Sequence, residues 1–276
     1  MSTKTVRGVE LAYEVHGSGG DPVVLVHGSL VDRHSWDAVV PGLAQSMEVV
    51  TYDRRGYGES ASAPSLHPVR DDSADLAGLL EGLNLYPAHV IAHSYGGAVA
   101  LRLAIDRPEM VRSLALHEPP FVGLLAEDPA TAAEGERMAA GIGTLQELIR
   151  SGQRPRAAQE LVEVFSTEPG AWARLTVEVQ RSFVRALDRW SEEFHDPEAV
   201  EPDRAACREL MVPALLTVGS ESPRFLHRIT RDLGALLHNS RTVEIPEAGH
   251  APHLTRPHQY VGLLVTFLLE RNVPVT

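Results

Sequence analysis

The sequence predicts an α/β fold, in which a mostly parallel sheet is covered by helices on both faces. Short, continuous apolar runs alternate with helical patterns, and such runs are typical of parallel strands that are buried on both faces. The chain has 276 residues, a length that single α/β domains often reach. Hydrophobic residues make up 43% of it, which is ordinary for a globular protein.

The predicted elements follow one another from the N-terminus. Residues 5–15 alternate apolar and polar side chains around Gly8, which predicts a hairpin or a bent strand. Apolar runs then predict buried strands at residues 22–26, 47–52, 88–92, 111–116, 212–218 and 241–245. Apolar residues at helical spacing predict one helix around residues 76–83, and a second helix covers residues 96–106, before Pro108.

One long stretch contains no strand pattern. Residues 119–206 show only helical patterns, so we predict a helical cap (lid) inserted between two strands of a core formed by residues 1–118 and 207–276. Apolar side chains are predicted to follow one helical face of this cap, at Trp172, Leu175, Val179, Phe183, Leu187 and Trp190. Because apolar helical faces usually pack against a neighbour, most of this stripe is interpreted as core packing.

Charge and composition exclude several classes of protein. The net charge of −12 argues against nucleic acid as a partner, since phosphate binding requires a basic surface. A single cysteine, Cys207, excludes an internal disulfide framework and a cysteine-rich metal site. The N-terminus lacks the apolar core of a signal peptide, and the apolar run at residues 261–269 is about half a membrane span. We therefore predict a soluble, cytoplasmic protein with no membrane partner, and leave its oligomeric state open.

The strongest motif lies where the strand at residues 88–92 meets the helix at residues 96–106. Ser94 stands in this turn, with Ala92 two positions before it and Gly96 two positions after it. The segment resembles the G-x-S-x-G nucleophile elbow of the α/β-hydrolases, with Ala92 in place of the first glycine. Small residues suit a turn in which strand and helix backbones approach closely. A lone serine there is also a good helix N-cap, so further motifs are needed.

Three other segments resemble the same family. His27-Gly28-Ser29 resembles its His-Gly loop, residues 52–60 resemble its D-x-R-G-x-G-x-S turn, and Ala248-Gly249-His250 resembles the segment that carries the catalytic histidine. The resemblance implies that Ser94 is the nucleophile and His250 the base. It also implies that the backbone amides of Ser29 and Tyr95 form the oxyanion hole. In this reading His27 is structural, and His93 shapes the pocket wall or packs against a neighbour.

The acid of the triad departs from the common pattern of the family. Most relatives carry an aspartate after the strand that follows the cap, and here that position is Ser222, with Glu221 one residue earlier. Glu118 ends the strand that precedes the cap, in the run His117-Glu118-Pro119. A glutamate at this second position resembles the zearalenone-type lactone hydrolases. We therefore predict Glu118 as the acid, with Glu221 as the alternative.

These residues predict a cofactor-independent serine hydrolase with no metal. Its substrate is predicted to be a small or medium apolar carboxylic ester or lactone, cleaved through an acyl-enzyme intermediate. The same triad also supports hydrolysis of a carbon–carbon bond in a vinylogous diketone, or cofactor-free perhydrolysis by a haloperoxidase-like enzyme. A different class remains open, namely a non-hydrolytic protein that binds a ligand or guides a cyclisation, because fold alone does not decide function. The spacing of cap residues does not reveal which of them bind the substrate.

Overall fold

The structure, a computed structural model, describes residues 1–17, 19–62, 68–126, 131–167 and 169–270. Parts of the predicted core and cap therefore lie outside the described residues. Within the described ranges the strands are β1 (Ser2–Val6), β2 (Val9–His16), β3 (Pro22–Val26), β4 (Glu48–Tyr52), β5 (Ala88–His93), β6 (Val111–His117), β7 (Ala214–Gly219) and β8 (Ser240–Ile245).

These strands form one twisted sheet in the order β1-β2-β4-β3-β5-β6-β7-β8. β1 and β2 form an antiparallel hairpin, β2 pairs antiparallel with β4, and every other neighbouring pair is parallel. The hairpin turns at Arg7 and Gly8, which both have a positive φ. The predicted α/β class is confirmed, and the predicted hairpin around Gly8 forms.

Helices cover both faces of this sheet. In the described residues they are α1 (Val40–Leu43), α2 (Pro68–Leu83), α3 (Tyr95–Asp106), α4 (Ala132–Arg150), α5 (Arg154–Val164), α6 (Ala171–Arg174), α7 (Val177–Glu193), α8 (Pro197–Val200), α9 (Arg204–Glu209), α10 (Arg224–Leu236), α11 (Pro252–Thr255) and α12 (Pro257–Glu270). Val24 and Val26 of β3 face a core shared with α2, α3 and α10. Val23 and Leu25 face the opposite core, shared with α1 and α12. This alternation explains why the strand is apolar throughout.

The described residues between β6 and β7 form helices of different lengths and no strand. Helices α4, α5 and α7 bury an apolar cluster of their own, made of Leu145, Leu148, Ile149, Ala157, Ala158, Leu161, Leu187 and Trp190. The predicted single stripe is wrong in one respect, because Trp172 lies on α6 and Thr176 caps a new helix, α7. The predicted return to the core at residue 207 falls inside α9.

A helix that crosses a bilayer must be both long and apolar. Among the described residues, none of the helices has enough of both to cross a membrane.

Candidate active site

Ser94 lies in a sharp turn between β5 and α3. Its backbone adopts φ 51° and ψ −124°, a strained conformation for a residue with a side chain. A Cβ added at Gly96 would stand 2.5 Å from the carbonyl oxygen of Val26 and 2.7 Å from that of His27. Only glycine therefore fits two positions after the serine. The Ser94 amide donates to the carbonyl of His117 at 2.9 Å, which fixes the turn to β6.

Glu118 and His250 meet at the carboxyl edge of the sheet. Nδ1 of His250 lies 2.6 Å from Oε2 of Glu118, and Glu118 is fully buried, with φ 45°. The other carboxylate oxygen, Oε1, accepts hydrogen bonds from the amide of Gly219 at 2.8 Å and from the hydroxyl of Ser222 at 2.5 Å. Ser222, the position at which the family resemblance leads one to expect an aspartate, thus donates a hydrogen bond to the Glu118 carboxylate.

The environment keeps the Glu118 carboxyl ionised. Burial by itself raises the pKa of this carboxyl, but the nearby His117 and the hydrogen bonds from His250 and Ser222 outweigh burial and lower it to about 2. At neutral pH the group is therefore a carboxylate, and it accepts a hydrogen bond from the protonated Nδ1 of His250. The remaining ring nitrogen of His250, Nε2, is then the one free to accept a proton.

The alternative acid, Glu221, is placed differently. Glu221 is exposed and lines the mouth of the cavity described below. Its backbone carbonyl accepts a hydrogen bond from Thr167, and its amide donates to Ala248. Among the hydrogen bonds of the described residues, none joins its carboxylate to His250. The structure therefore brings Glu118, and not Glu221, to the histidine.

Three other histidines surround His250. The ring centroid of His93 lies 4.6 Å from that of His250 and 4.6 Å from that of His253, and His117 lies 6.4 Å from His250. Burial lowers the pKa of His117 to about 4 and that of His253 to about 3. Burial, reinforced by the neighbouring histidines, also lowers the pKa of His93 well below its ordinary value. These three rings are therefore neutral at pH 7. Within the described residues, no set of three His, Cys, Asp or Glu side chains could hold a metal ion.

His250 is held through its backbone and through its ring. Nε2 of His93 donates to the backbone carbonyl oxygen of His250 at 2.7 Å, so the elbow is hydrogen-bonded to the loop that contains His250. The ring of Phe165, which follows cap helix α5, stacks on the imidazole of His250. The ring centroids lie 4.6 Å apart, and the angle between the ring planes is 20°. His93 was expected to shape the pocket wall or to pack against a neighbour, and it does both, since it lines the cavity described below and packs against His250 and His253. The sequence indicated no role for Phe165. No spacing rule in the sequence connects residue 165 to residue 250.

The predicted oxyanion donors flank Ser94 from two elements. Tyr95 is the first residue of α3, so its amide is one of the four that lack an intrahelical acceptor. Ser29 follows β3, and it lines the same cavity as Ser94. The hydroxyl of Ser29 donates at 2.5 Å to Oε2 of Glu193, which ends cap helix α7.

Glu193 belongs to a buried network of charges that sequence analysis missed. Nη1 of Arg54 lies 2.6 Å from Glu193 and 2.8 Å from Asp72, and all three side chains are fully buried. The guanidinium of Arg54 also donates to the carbonyls of His27 and Gly28. This network joins the cap to the loop after β3, which carries Ser29. Arg54 stands at the variable position of the D-x-R-G turn, and its cap partner, Glu193, is 139 residues away, so no local pattern connects them.

An apolar cavity of about 430 Å³ opens above Ser94. Its polar lining includes Ser29, Ser94 and His250. Cap side chains contribute most of its apolar surface, at Leu161, Val162, Phe165, Leu175, Phe183, Trp190 and Phe194. Three of the predicted stripe residues (Leu175, Phe183 and Trp190) therefore line the cavity, so part of the stripe is more than core packing. A concave, mostly apolar site with a few convergent polar groups is typical of small-molecule binding.

A mostly parallel sheet of eight described strands, with a serine elbow and a carboxylate–histidine pair at its carboxyl edge, defines an α/β hydrolase fold. The chain belongs to the family of that name, because a sequence model described as the alpha/beta hydrolase fold matches residues 21–257.

Named relatives match only part of this chain. It is 32% identical, over 173 residues, to the dihydrolipoyllysine-residue acetyltransferase component of the acetoin cleaving system of Pseudomonas putida, a match that covers 63% of this chain and 43% of that protein. It is 38% identical, over 107 residues, to the 2-hydroxymuconate semialdehyde hydrolase of Pseudomonas sp. strain CF600, covering 37% of this chain and 38% of that protein. The chain thus spans less than half the length of these relatives.

A solved structure matches almost the whole chain. The enol-lactonase from Burkholderia xenovorans LB400 superposes with a TM-score of 0.78, covering 97% of this chain and 100% of that chain. The two sequences are 20% identical. At that identity the likeness shows the fold alone.

Proposed function

We propose that this protein is a cofactor-independent serine hydrolase of small or medium apolar carboxylic esters or lactones. The observation that carries the proposal is the 2.6 Å contact between the buried Glu118 and His250, which lines the same cavity as Ser94 on its strained elbow. A serine hydroxyl is a weak nucleophile until a base removes its proton. An imidazole oriented by a buried carboxylate is such a base.

The first half-reaction forms an acyl-enzyme. Nε2 of His250 takes the proton of Ser94 while Oγ attacks the carbonyl carbon, and the carbonyl π electrons move onto oxygen. The amides of Ser29 and Tyr95 stabilise that oxyanion. Glu118 keeps the proton on Nδ1 and stabilises the imidazolium. When the tetrahedral intermediate collapses, the bond to the leaving oxygen breaks, and Nε2 returns its proton to that oxygen.

The second half-reaction releases the acid. His250 removes a proton from a water molecule, and the hydroxide adds to the acyl carbon of the ester at Ser94. Collapse of the second tetrahedral intermediate breaks the bond to Oγ, which recovers its proton from His250. The product is a carboxylic acid, or a hydroxy acid when the substrate is a lactone. Water is the only co-reactant that the overall reaction consumes.

The cavity supports an apolar substrate. Its cap side is formed by aliphatic and aromatic side chains, and each methylene buried there contributes about 0.8 kcal/mol to binding. Esters with hydrophobic groups are therefore expected to react faster than acetates or charged esters. Faster turnover of charged or sugar esters would contradict this part of the proposal.

Carbon–carbon bond hydrolysis is a second candidate. It is favoured by the 38% identity to a protein named 2-hydroxymuconate semialdehyde hydrolase. The same serine, histidine and carboxylate would serve such a reaction, with a carbanion in place of the alkoxide as the leaving group.

One panel of assays separates these candidates. Purified protein is treated with a fluorophosphonate probe, and the labelled residue is identified by mass spectrometry. Hydrolysis of p-nitrophenyl esters, lactones and vinylogous diketones is then measured in parallel. Labelling at Ser94 with ester or lactone turnover is the expected result. Selective turnover of the diketones supports the second candidate, and absence of labelling at Ser94 contradicts both.

A further inference from the structure

A second apolar cavity, of about 240 Å³, lies beside the first. We refer to it as the distal cavity. It is bounded by α4, α5, α10 and the segment after β6, through residues such as Val122, Met138, Ile142, Leu145, Val164 and Phe225. None of the residues placed in the mechanism above lines it. The triad and the oxyanion loop therefore do not account for this space.

The two cavities share a wall. Four residues line both of them, namely Leu161, Phe165, Trp190 and Phe194. All four are apolar, and three are aromatic. The wall also contacts the proposed base, since Phe165 stacks on the ring of His250. A substituent of the substrate that passes this wall is therefore attached close to the carbonyl that reacts.

We propose that the distal cavity binds the end of an unbranched alkyl chain of the substrate, which reaches it past Phe165. The inference rests on the proposed function and names a class of substrate for it. An apolar chain is the ligand that such a lining favours, because its burial is driven by the hydrophobic effect. A methylene chain also needs less width than a ring when it passes between aromatic side chains.

Charge and volume agree with this occupant. Arg137 and Glu160 are the charged side chains that line the distal cavity. Arg137 is exposed, and Glu160 is paired with Arg156 at 2.8 Å, so both mark the end that meets solvent. At about 30 Å³ for each water-sized group, the cavity holds roughly eight such groups. A chain that extends beyond the main cavity has room there.

Two glycines of α4 give a matched pair of variants. Gly141 lines the distal cavity, and a Cβ added there meets no atom within 4 Å. Gly143 lies on the same helix, does not line the distal cavity, and is equally free of neighbours within 4 Å. Gly141→Leu therefore places a side chain at the cavity, and Gly143→Leu controls for the change in helix propensity.

The experiment measures kcat/KM with two series of substrates, p-nitrophenyl alkanoates and alkyl acetates, each from two to twelve carbons. The wild-type value should rise up to about fourfold for each added methylene that is buried. Gly141→Leu should lower the ratio of long-chain to short-chain kcat/KM at least tenfold, and Gly143→Leu should leave this ratio unchanged. A change in the first series alone places the acyl chain in the distal cavity, and a change in the second alone places the alcohol chain there.

A second variant and a binding measurement complete the test. Phe165→Ala opens the wall and should raise the same ratio, whatever it does to the absolute rate. Calorimetric binding of octanoate and 1-octanol to the wild type and both glycine variants requires no turnover. The inference would be overturned if Gly141→Leu and Gly143→Leu have the same ratio of long-chain to short-chain kcat/KM and the same affinities for octanoate and 1-octanol. Absence of hydrolysis, with affinity reduced at least tenfold only in Gly141→Leu, would instead overturn the proposed function and keep the subsite.

Discussion

The hydroxyl of Ser29, on the loop after β3, donates a 2.5 Å hydrogen bond to Glu193, the last residue of cap helix α7. The same carboxylate accepts from Arg54 at 2.6 Å and from the hydroxyl of Tyr57 at 3.0 Å. One buried side chain thus holds the cap, the D-x-R-G turn and the loop predicted to supply an oxyanion donor. Substitution of Glu193 should therefore affect both folding and catalysis.

Glu193→Ala should lower the free energy of unfolding by about 3–5 kcal/mol. It removes one partner from a buried ion pair and leaves the charge of Arg54 with less compensation. Glu192→Ala is the matched control, because its side chain is about half exposed and contacts Arg189 at 3.2 Å. The control should change stability by less than about 0.5 kcal/mol. Urea denaturation measures both, and equal effects would show that the network does not stabilise the fold.

Ser94→Ala should abolish turnover while the protein stays folded. Loss of a triad nucleophile lowers kcat by on the order of 10⁶. The purified variant should also fail to react with a fluorophosphonate. Its circular dichroism and melting temperature provide the check on folding. Ester hydrolysis by this variant at more than about a hundredth of the wild-type rate would identify a different nucleophile.

Glu118→Gln should lower kcat by about 10³ to 10⁴, as expected when the acid of a triad becomes an amide. Glu221→Gln is the control and should change kcat by less than about tenfold, because Glu221 is exposed and lies apart from the Glu118–His250 pair. Steady-state kinetics on one ester compares the two. The acid is assigned wrongly if Glu221→Gln is the crippling change.

Ser222→Asp, made in the Glu118→Gln background, should restore part of the lost activity. The hydroxyl of Ser222 already lies 2.5 Å from Oε1 of Glu118, so a carboxylate at residue 222 faces the same place. Ser222→Asn in the same background is the neutral control and should restore nothing. Equal rates for the two double variants would show that charge at this position does not serve His250.

Folding stability should fall as the pH falls below about 6.5, and His253 should account for part of the loss. Burial lowers the pKa of His253 to about 3, so between about pH 3 and 6.5 the unfolded chain holds a proton that the folded chain does not. At pH 5 this costs about 2 kcal/mol relative to pH 8. His253→Phe keeps a ring against Trp36, whose centroid lies 4.6 Å away, and removes the titration.

The measurement is the free energy of unfolding of both proteins at pH 5 and pH 8. The wild type should lose about 2 kcal/mol more than the variant between these values. Equal losses of unfolding free energy in the two proteins would show that His253 is protonated at pH 5 in the folded protein as well.

Sequence patterns predicted the sheet and several site positions for identifiable physical reasons. Buried parallel strands must be apolar on both faces, and the elbow at Ser94 admits only glycine at residue 96, so both leave marks on the sequence. The pairing of Glu118 with His250 was expected from the resemblance to the zearalenone-type lactone hydrolases. In the structure the strand order brings the carboxyl ends of β6 and β8 to one edge of the sheet.

Other features had no local pattern to reveal them. The contact of Glu193 with Ser29 spans 164 residues and depends on how the cap docks. The stacking of Phe165 on His250 depends on the end of a short cap helix, which no periodicity fixes. Trp172 was assigned to the same helical face as Trp190, although Thr176 begins a new helix between them. Helical spacing alone does not show where one helix stops and the next begins.

Ser94 and Glu118 follow the ends of β5 and β6, and these strands are paired in register up to His93 and His117. The amide of Ser94 is also bonded to the carbonyl of His117 at 2.9 Å. The proposed nucleophile and the proposed acid therefore share one frame, the β5-α3-β6 unit, which ends before the cap begins. Movement of the cap can change access to the site and the packing on His250, but it cannot change the spacing between these two residues.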